Sequence, residues 1–175
     1  MRYRIQDIED QIIATLQADT ANMTGVQIKS HAGEVNARTF LDPSMLEGFV
    51  TQLPFVFIQY QGKRATLSDT VRGMYVHELR FRLYVGAQSL RVQQEAQRSC
   101  YAILGAVYDD LHGKKPNSAA SQLSVLPALS GNPITTDGFN PQTPLMEAGG
   151  EDEKLIVNLP QIKVYYTDYV IRVVA

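Results

Sequence analysis

The stretch VHELRFRLYVGAQSLRVQQEAQRSCYAILGAVYDDLHG, residues 76–113, changes its hydrophobic period partway along, and that change sets the fold. In its first part Leu79, Phe81, Leu83 and Val85 alternate with Glu78, Arg80, Arg82 and Tyr84. A period of two describes a strand with one dry face and one charged face. In its second part Ala96, Cys100, Ile103, Val107 and Leu111 fall on one stripe of a long helix. Ser89 is expected to cap that helix and Gly113 to end it.

Working upstream, PFVFIQY (residues 54–60) is a nearly unbroken β-branched and aromatic run. Such a run predicts a strand covered on both faces or central in its sheet. QGKRATLSDTVRG (residues 61–73) reads as a polar connection, so this strand and the one after it form a hairpin with a long tip. LDPSMLEGFVTQL (residues 41–53) predicts a short helix, with Asp42 as N-cap and Pro43 in the first turn. GVQIKSH (residues 25–31) predicts a short strand. Ile5, Ile8, Ile12 and Leu16 recur at helical spacing behind Asp7, Glu9 and Asp10, which predicts a first helix over residues 5–18.

Downstream, KLIVNL (154–159) and QIKVYYTDYVIRVV (161–174) supply one or two closing strands. The whole reads as one α+β domain over residues 1–175: a mostly antiparallel sheet with two long helices packed on one face, and a long loop insertion. The opposite face, bearing Arg80 and Arg82, must be wet or covered by something else. The insertion, residues 113–154, is long for a connection, although length alone costs little closure entropy. Its apolar residues Leu123, Val125, Leu126, Leu129, Ile134, Phe139 and Leu145 either lie back on their own domain or dock on another chain.

The composition narrows the function classes. A net charge of −2 gives no overall pull toward nucleic acid or membrane. One cysteine excludes an internal disulfide and fits a reducing compartment, the cytoplasm. The first residues carry acids inside an apolar pattern, unlike a signal peptide, and no run reaches the ~18 apolar residues of a membrane span. Local charge is uneven. Lys63, Arg64, Arg72, Arg80, Arg82, Arg91 and Arg98 stand against only Asp69, Glu78 and Glu95, whereas Asp137, Glu147, Glu151, Asp152 and Glu153 stand with no base among them. Two readings remain open: solvated surface of both signs, or a basic face and an acidic arm that meet between subunits.

No motif for chemistry emerges. His31, His77 and His112 are scattered, and His77 and Glu78 point to opposite faces of a strand. No His, Cys and acid cluster has metal-ligand spacing. The acid pair Asp109 and Asp110 and the run Glu151, Asp152, Glu153 read as solvated charge. GKR at 62–64 lacks the rest of a phosphate loop, and no nucleophile elbow occurs. Cys100 reads as a small core residue. Asn22 of NMT matches a glycan acceptor but has no secretory signal before it. The Arg80 and Arg82 face near Tyr84 has no aromatic nucleic-acid motif around it. No catalytic, cofactor-binding or metal-binding residue is expected.

The N-terminal IQDIEDQIIATL, then LPFVFIQYQG, then the strand–helix passage quoted first together resemble the Mu-like phage tail proteins. The motif positions are Ala87, Ser89, Leu90 and Arg91 in the turn, then Gly105, Tyr108, Leu111 and Gly113 toward the helix end. The resemblance spans residues 1–113 and rests on packing and capping positions. That family is similar in layout to tail terminator proteins of long-tailed phages. The resemblance implies a virion structural protein without enzymatic activity, assembled in the host cytoplasm: a hexameric ring in the neck region that caps the tail tube and meets the head–tail connector. DNA would pass through the ring without sequence-specific binding, and no membrane is involved.

On that implication, Lys63, Arg64, Asp69 and Arg72 at the hairpin tip are candidate contacts with tube or connector. Arg80 and Arg82 would meet Glu151, Asp152 and Glu153 of a neighbour. Leu126, Leu129 and Phe139 would be buried across that neighbour. Competing readings are another neck adaptor or stopper, a monomeric tail-assembly accessory protein, or a small enzyme whose site the sequence does not display.

Overall fold

The computed structural model of the chain describes residues 4–33, 51–67, 75–112, 146–148 and 154–174, together with 35, 36, 38, 42, 44 and 48. Its elements run in the order α1 (Ile5–Ala18), β1 (Gln27–Ser30), β2 (Phe55–Leu67), β3 (Tyr75–Gln88), α2 (Gln93–Leu111), β4 (Met146–Ala148), β5 (Lys154–Asn158) and β6 (Ile162–Val174). The sheet order is β1-β2-β3-β6-β4, and β5 also pairs with β6. Among the described residues only the β1–β2 pair is parallel. The architecture is the expected α+β one, with a largely antiparallel sheet and both long helices on one face.

That face holds the main core. Ile8, Ile12 and Leu16 of α1 and Cys100, Val107 and Leu111 of α2 pack on Val56 and Ile58 of β2, Leu79, Phe81, Leu83 and Val85 of β3, and Tyr169 and Ile171 of β6. The helical stripe and the strand alternation meet here, so every apolar position predicted for α2 is buried. Burial pushes the Cys100 thiol up to about 12, which keeps it protonated and inert. The Gln17 amide donates to the Ile28 carbonyl at 3.3 Å and ties α1 to β1.

The other face carries a smaller core confined to one end. Phe55 and Phe57 stack at 3.9 Å, and Val35, Tyr84, Val157, Ile162 and Val164 join them, with Leu53 and Leu159 at the margin. PFVFIQY is therefore covered on both faces: Phe55, Val56, Phe57 and Ile58 are all fully buried. Gly86 is a packing necessity there. A Cβ on it would lie 2.5 Å from the Phe55 ring and 2.9 Å from Leu53. The Leu53–Pro54 peptide is cis.

Several expectations are corrected. Residues 61–67 are not a connection but the second half of β2, paired with β3 as far as Leu67–Tyr75. Polar composition does not prevent a strand when a partner strand satisfies its backbone. A segment inside the supposed loop insertion, Met146–Ala148, is a strand on β6. Val92, not Ser89, is the N-cap residue of α2. Ser89 Oγ instead accepts from the Arg91 and Val92 amides and donates to Glu95, bracing the turn ahead of the helix. The helix stops at Leu111, and Gly113 lies outside the described residues. Asp42 accepts from the Ser44 amide at 2.9 Å, an N-cap bond, in a stretch only partly described.

Candidate interaction surface

The bulge at Tyr60/Gly62 organises the exposed part of the sheet. Gly62 takes φ 121°, open to glycine and strained for other residues. One extra residue on β2 shifts which side chains face the helices: Gln59 is opposite Arg82, but beyond the bulge Gly62 is opposite Arg80 and Arg64 opposite Glu78. Arg64 thereby joins Glu78, Arg80 and Arg82 on the face away from the helices. Gln61, Gly62, Lys63, Arg64, Glu78, Arg80 and Val170 line a shallow depression of about 310 Å³ there. Lys63, Arg64 and Arg80 are exposed.

Arg82 behaves differently. Its Nε and Nη2 donate to the two carboxylate oxygens of Asp168 at 2.7 and 2.9 Å, and its guanidinium lies 4.0 Å over the Tyr166 ring. The hydrogen bonds to Asp168 hold its pKa above the usual arginine range, against the opposing effect of burial. Its charge is thus met within its own chain, whereas Arg64 and Arg80 are exposed on this face and Lys63, opposite Leu79, is exposed on the helix side of the strand. Sequence reasoning missed Asp168, which sits opposite Arg82 only through the β3–β6 register. Tyr84 donates to Gln59 at 3.1 Å and Gln59 donates to the Gly33 carbonyl at 3.0 Å, closing the border between the covered and bare halves.

The edges of the sheet are unequal. β1 pairs only with residues 55–58, so from Gln59 to Leu67 the outer side of β2 meets no strand among the described residues. At the opposite edge β4 and β5 occupy successive stretches of β6. Glu147 is in β4, and Glu151, Asp152 and Glu153 belong to the five-residue link from β4 to β5. Asp69, Arg72, Leu126, Leu129, Phe139 and those three acids of the link lie outside the described residues.

The remaining candidates are structural. His31 stacks on Phe57 at 4.9 Å, and burial followed by the Lys29 charge lowers its pKa. His77 is lowered by burial and then by Lys63. His112 stacks on Tyr108 at the end of α2. Asp109 is exposed as expected, but Asp110 is half-buried and meets the Asp19 carboxyl at the end of α1, which corrects its reading as solvated charge. Among the described residues no group of three His, Cys, Asp or Glu is placed to hold a metal, and no helix is long and apolar enough to cross a membrane.

No family model matches the chain, and no curated protein matches it in sequence. Among solved structures, a chain from the virion of a native gene transfer agent particle is similar to it with a TM-score of 0.54 and 12% identity, covering 99% of this chain and 99% of that one. At that identity the common property is the fold, and it extends over the full length of both chains.

Proposed function

We propose that the chain is a structural virion protein, a tail terminator that closes a phage tail tube as a ring, with six protomers expected, and offers its other side to the head–tail connector. The observation that carries this reading is the end-to-end likeness in fold to a chain of a phage-like virion particle. The surface agrees with it. A closed ring needs a heterologous contact, in which two different patches on each subunit meet. Here β2, whose exposed half carries Lys63 and Arg64, and β4 belong to different sides of one sheet. The reading assigns the protein no catalysis and no cofactor, and leaves passing DNA unread.

The test is the absolute mass of the protein in solution by light scattering after size exclusion, alone and mixed with its tail-tube protein. A mass of six protomers, alone or on tubes, supports the terminator. A ring that binds portal-side proteins and ignores tubes moves the assignment to a neck adaptor or stopper. A monomer under every condition removes the ring and favours a tail-assembly accessory protein.

A further inference from the structure

The outer side of β2 is used at one end and bare at the other. β1 lies on it at residues 55–58, and the His31 amide closes that ladder on the Ile58 carbonyl at 2.9 Å. From residue 62 to residue 67 the strand runs against β3 with no shift in register, and no strand lies on its outer side among the described residues. In an antiparallel pair the N–H and C=O of one residue point the same way, and the direction alternates along the strand. Alternate residues of this arm therefore turn both groups outward. Such an edge is a template for an added strand.

Charge sets which strand it takes. Lys63 is exposed on the helix side of the arm, and Arg64 is exposed on the other side, as is Arg80 of β3. Two copies of the arm laid edge to edge would bring cations together, which disfavours a second copy as the occupant. A strand with two neighbouring acids meets no such penalty. Adjacent side chains of a strand point to opposite faces, so each acid finds a cation on its own side.

Gly62 supplies a seat for one of them. It is opposite Arg80, on the face that also carries Arg64, and a Cβ built on it would meet no atom within 4 Å. The missing side chain helps to open the depression of about 310 Å³ lined by Arg64, Glu78 and Arg80. A side chain directly across from Gly62 on an added strand can lean over the glycine to Arg80, whose guanidinium matches a carboxylate. The next row on this face pairs Arg64 with Glu78, which already holds an acid. The Gly62 row is therefore the favoured place for a carboxylate.

We propose that residues 62–67 of β2 receive an extended segment of another protein bearing two adjacent acids. One carboxylate enters the Gly62 depression between Arg64 and Arg80, and the other meets Lys63 on the opposite face. Backbone pairing supplies affinity, while the cations select the partner and its register. The inference concerns an edge of the single chain and does not need the ring.

The test uses the full chain and a capped synthetic peptide of alternating threonine and valine with two central glutamates, beside a counterpart with two central lysines. The glutamate peptide is expected to slow hydrogen exchange at the outward amides of residues 62–67. It is also expected to bind at least about tenfold more tightly than the lysine peptide. Arg64→Gln with Arg80→Gln is expected to lose most of that preference while the thermal melt of the chain stays nearly unchanged, because both side chains are exposed. Equal binding of the two peptides overturns the acidic partner. Glutamate-peptide binding that leaves those amides unprotected overturns strand addition, and a double variant with full preference overturns the Gly62 seat. Outward amides already slow in the free monomer show an edge covered by its own chain. Slowing that grows with protein concentration alone makes the occupant a second copy. Either result overturns the proposal, as does the absence of binding at about millimolar peptide. The ring stands or falls separately, by the mass measurement above.

Discussion

The two halves of the β2–β3 hairpin share the same strands and differ in what covers them. In the near half, residues 55–58 and 83–87, helices pack on one side and the Phe55, Phe57 and Val164 cluster on the other. In the far half, residues 61–65 and 78–82, one side still meets the core through Leu79 and Phe81, and the other presents Arg64, Glu78, Arg80 and Arg82. Burial on two sides fixes a strand through apolar area, at roughly 25 cal/mol per Å². A strand bare on one side holds its place through its ladder and leaves its polar face for other work. Apolar burial is therefore concentrated in the near half, and the far half holds the exposed charges to which the proposed contacts are assigned.

The strongest way to break this contrast is Phe57→Ala, which removes a fully buried ring from the near half. It is expected to cost about 3–5 kcal/mol in urea unfolding. A loss below about 1 kcal/mol would mean that the near half is not the anchor. Gly86→Ala forces a methyl into Phe55 and Leu53 and is expected to cost about 1–3 kcal/mol with the urea slope unchanged. At the border, Asp168→Asn leaves Arg82 half-buried over Tyr166 without its carboxylate. The expected cost is about 1–2 kcal/mol, less than for a fully buried pair because the Arg82 side chain is still 27% exposed.

A smaller effect sharpens the comparison through pH. The folded pKa of His31 lies below its ordinary 6.5, so near that pH the unfolded chain binds more protons than the folded one. Stability then rises with pH through this window and falls as acid is added below 6.5. His31→Gln should flatten that part of the pH profile measured by thermal melting. A profile unchanged by the substitution would show that His31 does not carry it. Smallest of all, Arg64→Ala with Arg80→Ala is expected to move monomer stability by no more than about 0.5 kcal/mol, while lowering the measured association. A large loss of monomer stability would make these arginines structural and erase the division between the halves.

Much of this was legible in residue order. The stripe Ala96, Cys100, Ile103, Val107, Leu111 and the alternation Leu79 to Val85 gave α2 and β3 because both elements bury one face, and one-sided burial writes a period into sequence. The unbroken PFVFIQY run marked a strand covered twice. Residues 61–67 were illegible because an exposed strand arm has no apolar alternation to write, and its partner strand alone keeps it extended. β4 was hidden for the same reason, being three residues held by β6.

Of the surface, sequence supplied the charges but not their allegiance. Arg80 and Arg82 alternate identically along β3, yet Arg82 is claimed by Asp168, 86 residues away, while Arg80 faces outward. Sequence by itself determined the element types, the α+β class and the unequal distribution of charge, because these follow from local periodicity and composition. Only the tertiary structure decided the bulge that re-aims Arg64, the pairing that neutralises Arg82, and the register that sets β4, β6, β3 and β2 side by side. Those depend on register between strands distant in the chain, which no local pattern encodes.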